Sequence, residues 1–292
     1  QQISKLEDEV GSLLFKRGRS QMSLTEAGLF LQRRSEIMLS SIEETMVGLR
    51  QFGSGQKGLI SVGLLSSVAR NLLPAASEKL SEKFPDIKLD ILEISPLEAI
   101  DLLYGRQLSV AVLAEDSINK SVLSFSKTHL FEDPYVLAVP KSVSLENIKN
   151  LEELKKSPVS KALSNIIQFE FGNQHKKRIE EWFTSVLPNS RVFAKTRTYE
   201  VALSMVQSGR GVAVVPALAA RLGGKNLDFD VNLYKTNLPV RKIISLIPSQ
   251  YVRIEPYKSF IEALKETGKN MELPKIHKVP PILESLSVEN LL

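Results

Sequence analysis

No cysteine occurs among the 292 residues. That excludes disulfides and thiolate metal sites and suits a reducing compartment such as the cytoplasm. Histidine is scarce too: His129, His175 and His277 stand far apart, without the spacing of a catalytic triad or a metal-ligand set. There is no G-x-S-x-G elbow and no Walker loop, since Gly223-Gly224-Lys225-Asn226 lacks both the upstream glycine and the hydroxyl residue. An enzyme is therefore not expected, and neither is a metal or a cofactor. No apolar stretch approaches the roughly 18 residues that a membrane span needs. The first residues form a polar helix pattern, not a charged-then-apolar secretion signal.

What is present describes an ordinary globular chain. With 43% hydrophobic and 24% charged residues, there is ample core for roughly two or three compact units. A net charge of +5 permits nucleic-acid binding without establishing it.

The stretch Gln1–Gly28 carries the most information. Ile3, Leu6, Val10 and Leu13/Leu14 recur at helical spacing and should pack one face against neighbouring helices. Gly11 suits a helix C-terminus, where a left-handed conformation is cheap only without a Cβ. Leu14-Phe15-Lys16-Arg17 then starts a short strand and wing, and Leu24-Thr25-Glu26-Ala27-Gly28 opens the next helix. Lys16, Arg17 and Arg19 cluster on that hairpin, where cations can meet phosphates; taken alone, the trio is equally a solvated turn.

This order of residues resembles the LysR-type transcriptional regulators, whose pattern runs roughly S-x-x-I-x-x-L-E-x-x-L-G-x-x-L-F-x-R, a short wing, then L-T-x-A-G. The resemblance implies a winged helix-turn-helix whose first helices, including the start of the recognition helix, lie before Gln1. Those missing residues would read bases. Ser4, Lys5, Lys16, Arg17 and Arg19 would then hold double-stranded DNA mainly through phosphates, giving affinity more than sequence choice.

Ser23 and Thr25 are both competent N-caps, and Ser23-x-x-Glu26 has capping-box spacing, so a long helix is expected to about Phe52. Leu31, Ser35, Met38, Ile42, Thr45, Leu49 and Phe52 alternate by four and three, a heptad seam weakened by its two hydroxyl residues. In the resembling family this helix pairs subunits into a homodimer or homotetramer through such positions; a single amphipathic helix on its own chain is the plainer alternative. Gly53-Ser54-Gly55-Gln56-Lys57-Gly58 reads as a hinge. It also fits G-x-G-x-x-G, but a helix precedes it and a strand follows, the reverse of the dinucleotide-binding order.

From Leu59 onward strands and helices alternate, the pattern of a parallel or mixed α/β sheet. Helices are expected over 69–84, 97–104, 145–154, 174–186, 199–208 and 257–267, with a turn at Glu132-Asp133-Pro134. Leu72-Leu73-Pro74, Phe84-Pro85, Leu130-Phe131-Glu132-Asp133-Pro134 and Gly209-x-Gly211-Val212-x-x-x-Pro216 match landmarks of the same family. The resemblance implies a two-subdomain, periplasmic-binding-protein-like α/β effector region behind a partial winged helix-turn-helix head and a long linker helix. The expected boundaries are 1–24 for the head, 25–53 for the linker helix and 54–58 for the hinge. Subdomain I takes 59–131 with 239–270, and subdomain II takes 132–238. The extension 271–292, with Pro274, Pro280 and Pro281, reads as loose, although Leu283, Leu286, Leu291 and Leu292 could dock.

A cleft between two such subdomains is a natural pocket, because strands end there and helix N-termini, which bind anions readily, point into it. Leu65, Ser66 and Ser67 lie between the first strand and its helix, Ser95 follows the second strand, and Thr196 and Thr198 precede a later helix. Phe169 and Phe171 could wall the cleft and Arg197 add a cation; Ser66, Ser67 and Thr198 are equally well explained as helix caps, and the phenylalanines as core. The expectation is a DNA-binding transcriptional regulator, without membrane association, whose small, anionic effector shifts the two subdomains. The alternatives are a small-molecule-binding module of solute-binding type and a regulator remnant that no longer binds DNA itself.

Overall fold

The computed structural model describes residues 2–17, 22–35, 38, 42, 45, 58–118, 125–157, 159–170, 173–223 and 227–283. It divides into two compact units, Gln1–Gly58 and Leu59–Leu292.

The first unit opens with helix α1 (Gln2–Val10), which ends at Gly11 with φ 69°. A buried carboxylate then shapes the turn: Glu7 Oε1 accepts from the amides of Leu14 (2.7 Å) and Phe15 (3.1 Å). Strand β1 (Phe15–Arg17) pairs antiparallel with β2 (Met22–Leu24), Phe15 facing Leu24. Ser23 is used in that ladder opposite Lys16, so the expected Ser23 capping box does not form. Thr25 caps instead: its Oγ1 donates to Leu13 O (2.7 Å) and accepts from Gly28 N (3.0 Å). Helix α2 follows over residues 26–35, and Met38, Ile42 and Thr45 are helical beyond it. Gly28 is needed for close approach, since a Cβ there would stand 2.1 Å from the Leu14 carbonyl oxygen. Of the apolar face expected on α1, only Leu14 is buried; Ile3, Leu6, Val10 and Leu13 are 40–68% exposed. Ile3, Leu6 and Val10 lie on α1 while Leu13 falls beyond its end, and no described element of this unit covers them. Arg19, Leu49, Phe52 and the expected hinge up to residue 57 lie outside the described residues.

The second unit contains two mixed sheets. The larger has the order β4-β3-β5-β12-β6, from β3 (Leu59–Leu64), β4 (Lys88–Glu93), β5 (Val110–Ala114), β6 (Phe125–Asp133) and β12 (Arg241–Pro248). Its first three strands are parallel, and β12 runs antiparallel to β5 and β6. Helices α3 (Ser66–Lys83) and α9 (Tyr257–Lys269) cover one face with Leu72, Leu80, Phe260 and Leu264; α4 (Pro96–Tyr104) covers the other with Ala99 and Leu103. Burying each such large apolar side chain contributes about 1.5–3 kcal/mol relative to exposure.

The second sheet is built on β7 (Tyr135–Pro140), flanked antiparallel by β10 (Ala213–Pro216) and β11 (Val231–Lys235). β8 (Asn165–Phe169) and β9 (Arg191–Thr196) pair in parallel and join it through a bridge from Ile166 to Val212. Helices α5 (Leu151–Lys156), α6 (Val159–Leu163), α7 (Asn173–Val186) and α8 (Tyr199–Gln207) complete this half. The expected Glu132-Asp133-Pro134 turn is not a hairpin, because β6 and β7 belong to different sheets and the chain crosses between them at Pro134. It crosses back between β11 and β12.

Three departures from expectation have physical causes. The helix expected over 145–154 starts only after Asn150, whose side chain accepts from Glu153 N (2.8 Å); upstream, Leu145 is buried and its amide is held by the Tyr234 hydroxyl (3.0 Å). Strand β11 was not expected, and it alternates only weakly, with Val231, Leu233 and Tyr234 all buried. The extension is not loose through residue 283. His277 exchanges backbone hydrogen bonds with β11 (to Leu233 O, 2.7 Å; from Lys235 N, 3.0 Å), and Ile282 and Leu283 enter the core beside Ile148. Residues 281–283 are helical, with Pro281 at the first position, where its missing N–H costs no hydrogen bond; upstream of it the β11 edge supplies the backbone partners. Leu286, Leu291 and Leu292 lie outside the described residues.

Candidate effector pocket

Both pocket-forming helices start where strands end. α3 begins at Ser66, with only Leu65 between it and β3, and α8 begins at Tyr199, with Arg197 and Thr198 between it and β9. Leu65, Ser66 and Ser67 from the first, and Arg197, Thr198, Tyr199 and Glu200 from the second, line one cavity of about 70 Å³. Glu93 and Ile94, at the end of β4, and Phe169, at the end of β8, complete it. A wider groove of about 590 Å³ shares Ser66, Glu93, Thr198 and Glu200 and adds Ala69, Arg70, Leu73, Pro74, Ser77 and Ile91.

The two helix starts differ in how they are capped. Thr198 caps α8, its Oγ1 accepting from Val201 N (3.4 Å). On α3 the N-cap position belongs to Leu65, which offers no side-chain acceptor, so the capping explanation for Ser66 and Ser67 fails. Ser67 is 2% exposed, and its hydroxyl has no hydrogen-bond partner. Burying a hydroxyl unpaired costs about 1–3 kcal/mol, so such a hydroxyl on a residue that lines a cavity is a feature to be explained.

The other candidate residues fall in different places. Ser95 caps α4, accepting from Glu98 N (3.2 Å), and does not line the cavity. Nor does Thr196, whose Oγ1 donates to Thr198 O (3.2 Å) and accepts from Thr198 N (3.3 Å), bracing the turn into α8. Phe169 stacks on Tyr199 with centroids 3.8 Å apart and ring planes at 17°. Burial raises the Tyr199 phenol well above its ordinary pKa, so it stays protonated. Phe171 lies outside the described residues.

Sequence reasoning missed Glu93, Glu200 and the network that spans the cleft. Arg70 Nη1 pairs with Glu200 Oε1 (2.5 Å), Nη2 donates to Ala219 O (3.2 Å) and Nε to Arg221 O (3.1 Å). Asn71 Nδ2 donates to Ser67 O (2.8 Å) and reaches Leu218 O and Arg221 O (both 3.4 Å). Where the chain crosses between sheets, Asp133 accepts from Arg241 (2.5 Å) and from Leu218 N (3.0 Å). Burial alone would lower the pKa of the Arg241 guanidinium, but Asp133, with Tyr135 and Tyr199, holds it above its ordinary value.

In the first unit Lys5 and Lys16 are exposed and Ser4 is half-buried; Arg17 lies in β1, its side chain outside the described residues. Among the described residues no helix is long and apolar enough to cross a membrane, and no cluster of His, Cys, Asp and Glu could hold a metal ion.

Residues 53–269 match the LysR substrate binding domain family. The chain is 25% identical over 227 residues to the HTH-type transcriptional regulator AlsR of Bacillus subtilis (strain 168), covering 76% of this chain and 72% of that protein. Full-length OxyR from Pseudomonas aeruginosa superposes with a TM-score of 0.58 at 18% identity, over 94% of this chain and 87% of that one. Full-length CbnR in complex with its target DNA gives 0.51 at 16%, over 91% and 88%. The chain belongs to the LysR family of transcriptional regulators, carries that family's effector-binding domain, and is not an enzyme.

Proposed function

We propose that this regulator binds double-stranded DNA through its first unit and a small carboxylate-bearing effector between the two sheets of its second. The observation that carries the effector reading is the convergence of two helix N-termini on one cavity, one of them without a side-chain cap and with an unpartnered buried hydroxyl at Ser67. Free amides at a helix start and the partial positive charge of the helix dipole favour an anionic group there. Ser67 and Thr198 supply hydroxyls to the anion, Phe169 walls the pocket, and Arg197 adds a cation at its exposed side. Ser95 and Thr196 act one step back, holding the loops that present these groups.

Lys5, Lys16, Arg17 and Arg19 contact phosphates, with Ser4 beside them. A second copy pairs with this one through Leu31, Met38, Ile42, Leu49 and Phe52. Exposure of Met38 (62%) and Ile42 (61%) in the single chain supports that pairing. An effector shifts the two halves relative to each other, and about 1–3 kcal/mol of coupling is sufficient for regulation.

The test is binding to labelled DNA from upstream of its own gene across a salt titration. It uses this chain and the same chain extended by any coding sequence that precedes Gln1. Selective, salt-sensitive binding is expected, and alanine at Arg17 and Arg19 together should reduce the log–log salt slope by about 2. A double variant with an unchanged slope removes the wing from the contact list. Absence of selective binding in both forms leaves a small-molecule-binding module in place of a DNA-binding regulator.

A further inference from the structure

We infer that the effector is an α-amino acid with an apolar side chain, an assignment that rests on the pocket reading above and refines it. The cavity offers chemistry for two opposite charges. The lining holds the uncapped amides of α3 and Ser67, a residue 2% exposed whose buried hydroxyl has no hydrogen-bond partner among the described residues. These groups donate, so they suit a carboxylate.

The same lining holds two glutamates, and they are not equivalent. Glu200 is already neutralised by Arg70 at 2.5 Å. Glu93 has no ion-pair partner among the described residues, and it lines both the cavity and the groove. The β3–β4 ladder sets its place: Glu93 is in register with Leu64, one residue before the α3 N-cap. A purely anionic ligand would use the α3 amides, Ser67 and Arg197 but would leave the exposed Glu93 carboxylate without a counter-charge. A purely cationic ligand would leave the α3 amides and Ser67 unused. A molecule with a carboxylate and an ammonium on neighbouring atoms satisfies both, and the short span of such a headgroup suits a cavity of about 70 Å³. The rest of the ligand then lies in the groove of about 590 Å³, against Ala69, Leu73, Pro74 and Ile91. Those side chains reward an apolar substituent.

The experiment is calorimetric titration of the full chain with each of the standard amino acids. The tightest binder is then compared with its desamino carboxylic acid and its decarboxylated amine. The same ligands are titrated into Glu93→Gln and Ser67→Ala, with circular dichroism to confirm that both variants fold. The amino acid should bind at least about ten-fold more tightly than either analogue, a difference of ~1.4 kcal/mol. Glu93→Gln should abolish its advantage over the desamino acid, whereas Ser67→Ala should weaken both carboxylates by a similar factor. A desamino acid that binds wild type as tightly as the amino acid overturns the ammonium subsite and leaves the carboxylate pocket standing. Failure of every amino acid and every carboxylate to bind overturns the pocket reading as well.

Discussion

Asp133 and Arg241 pair across the β6–β12 ladder at 2.5 Å, both buried, at the two points where the chain crosses between its sheets. Asp133 ends the outgoing strand and Arg241 begins the returning one, so one ion pair holds both crossings. The second Asp133 oxygen takes the Leu218 amide and ties in the segment after β10. Removing one partner leaves a buried charge uncompensated, which costs about 3–5 kcal/mol, whereas replacing both with apolar groups is often near neutral. Asp133→Leu should therefore destabilise by that amount in urea unfolding, and Asp133→Leu with Arg241→Met should recover most of it. A single variant within about 1 kcal/mol of wild type would show that water reaches the pair.

The same crossing predicts an alkaline limit. Burial pushes the Tyr135 phenol from 10.0 up to about 12, outweighing the nearby guanidinium of Arg241. The folded chain thus keeps this proton after the unfolded chain has lost it. The stabilising difference is complete below pH 10 and is lost as pH rises through about 12. Two units correspond to about 2–3 kcal/mol. Tyr199 and Tyr257 are raised as well and act in the same direction. Urea midpoints measured from pH 9 to pH 12 should fall steadily, and Tyr135→Phe should lose part of that slope. An identical slope in the variant would locate the effect elsewhere.

Much of this arrangement is legible in the sequence, for a definite reason. Ser66, Ser67 and Thr198 stand where an apolar strand gives way to a helical period, and that junction is local in the chain. Glu7 shows why the head motif is readable: Leu14 and Phe15 follow it by seven and eight residues because their amides bond its carboxylate. Competition between neighbours is harder to read, since Ser23 and Thr25 are both good caps until β2 claims Ser23. Contacts between remote residues leave no local trace. Arg70 and Glu200 are 130 positions apart, and Asp133 and Arg241 are 108 apart. Nothing near either residue signals its partner.

Arg70 makes a dynamic prediction. Its three bonds run from α3 to Glu200, Ala219 and Arg221, all in the other half of the second unit. The Arg70–Glu200 side chains are 24% and 31% exposed, so the pair itself is worth little in global stability. Its effect should be local. Arg70→Ala should speed amide hydrogen exchange at Ala217–Arg221 and at the start of α8, with protection in β7 unchanged. Equal acceleration throughout the unit would indicate global destabilisation and rule out a local role for Arg70.

The docked extension makes the most direct test of the fold beyond residue 270. Ile282 is 2% exposed, its amide donates to Ile148 O (3.0 Å), and its neighbours in the core include Leu145 and Tyr234. A loose extension would tolerate any substitution there. A docked one loses the transfer energy of the side chain and gains a cavity, so Ile282→Ala should cost about 2–4 kcal/mol. Ile282→Asp should cost more, because an unpaired carboxylate cannot remain charged in that core. Backbone docking adds a second readout. His277 accepts from Lys235 N and donates to Leu233 O, so ending the chain at Met271 should release protection at Lys235 while β6 keeps its own. Wild-type stability in Ile282→Asp would mean that the extension leaves β11 in solution and that residues 273–283 contribute nothing to the core.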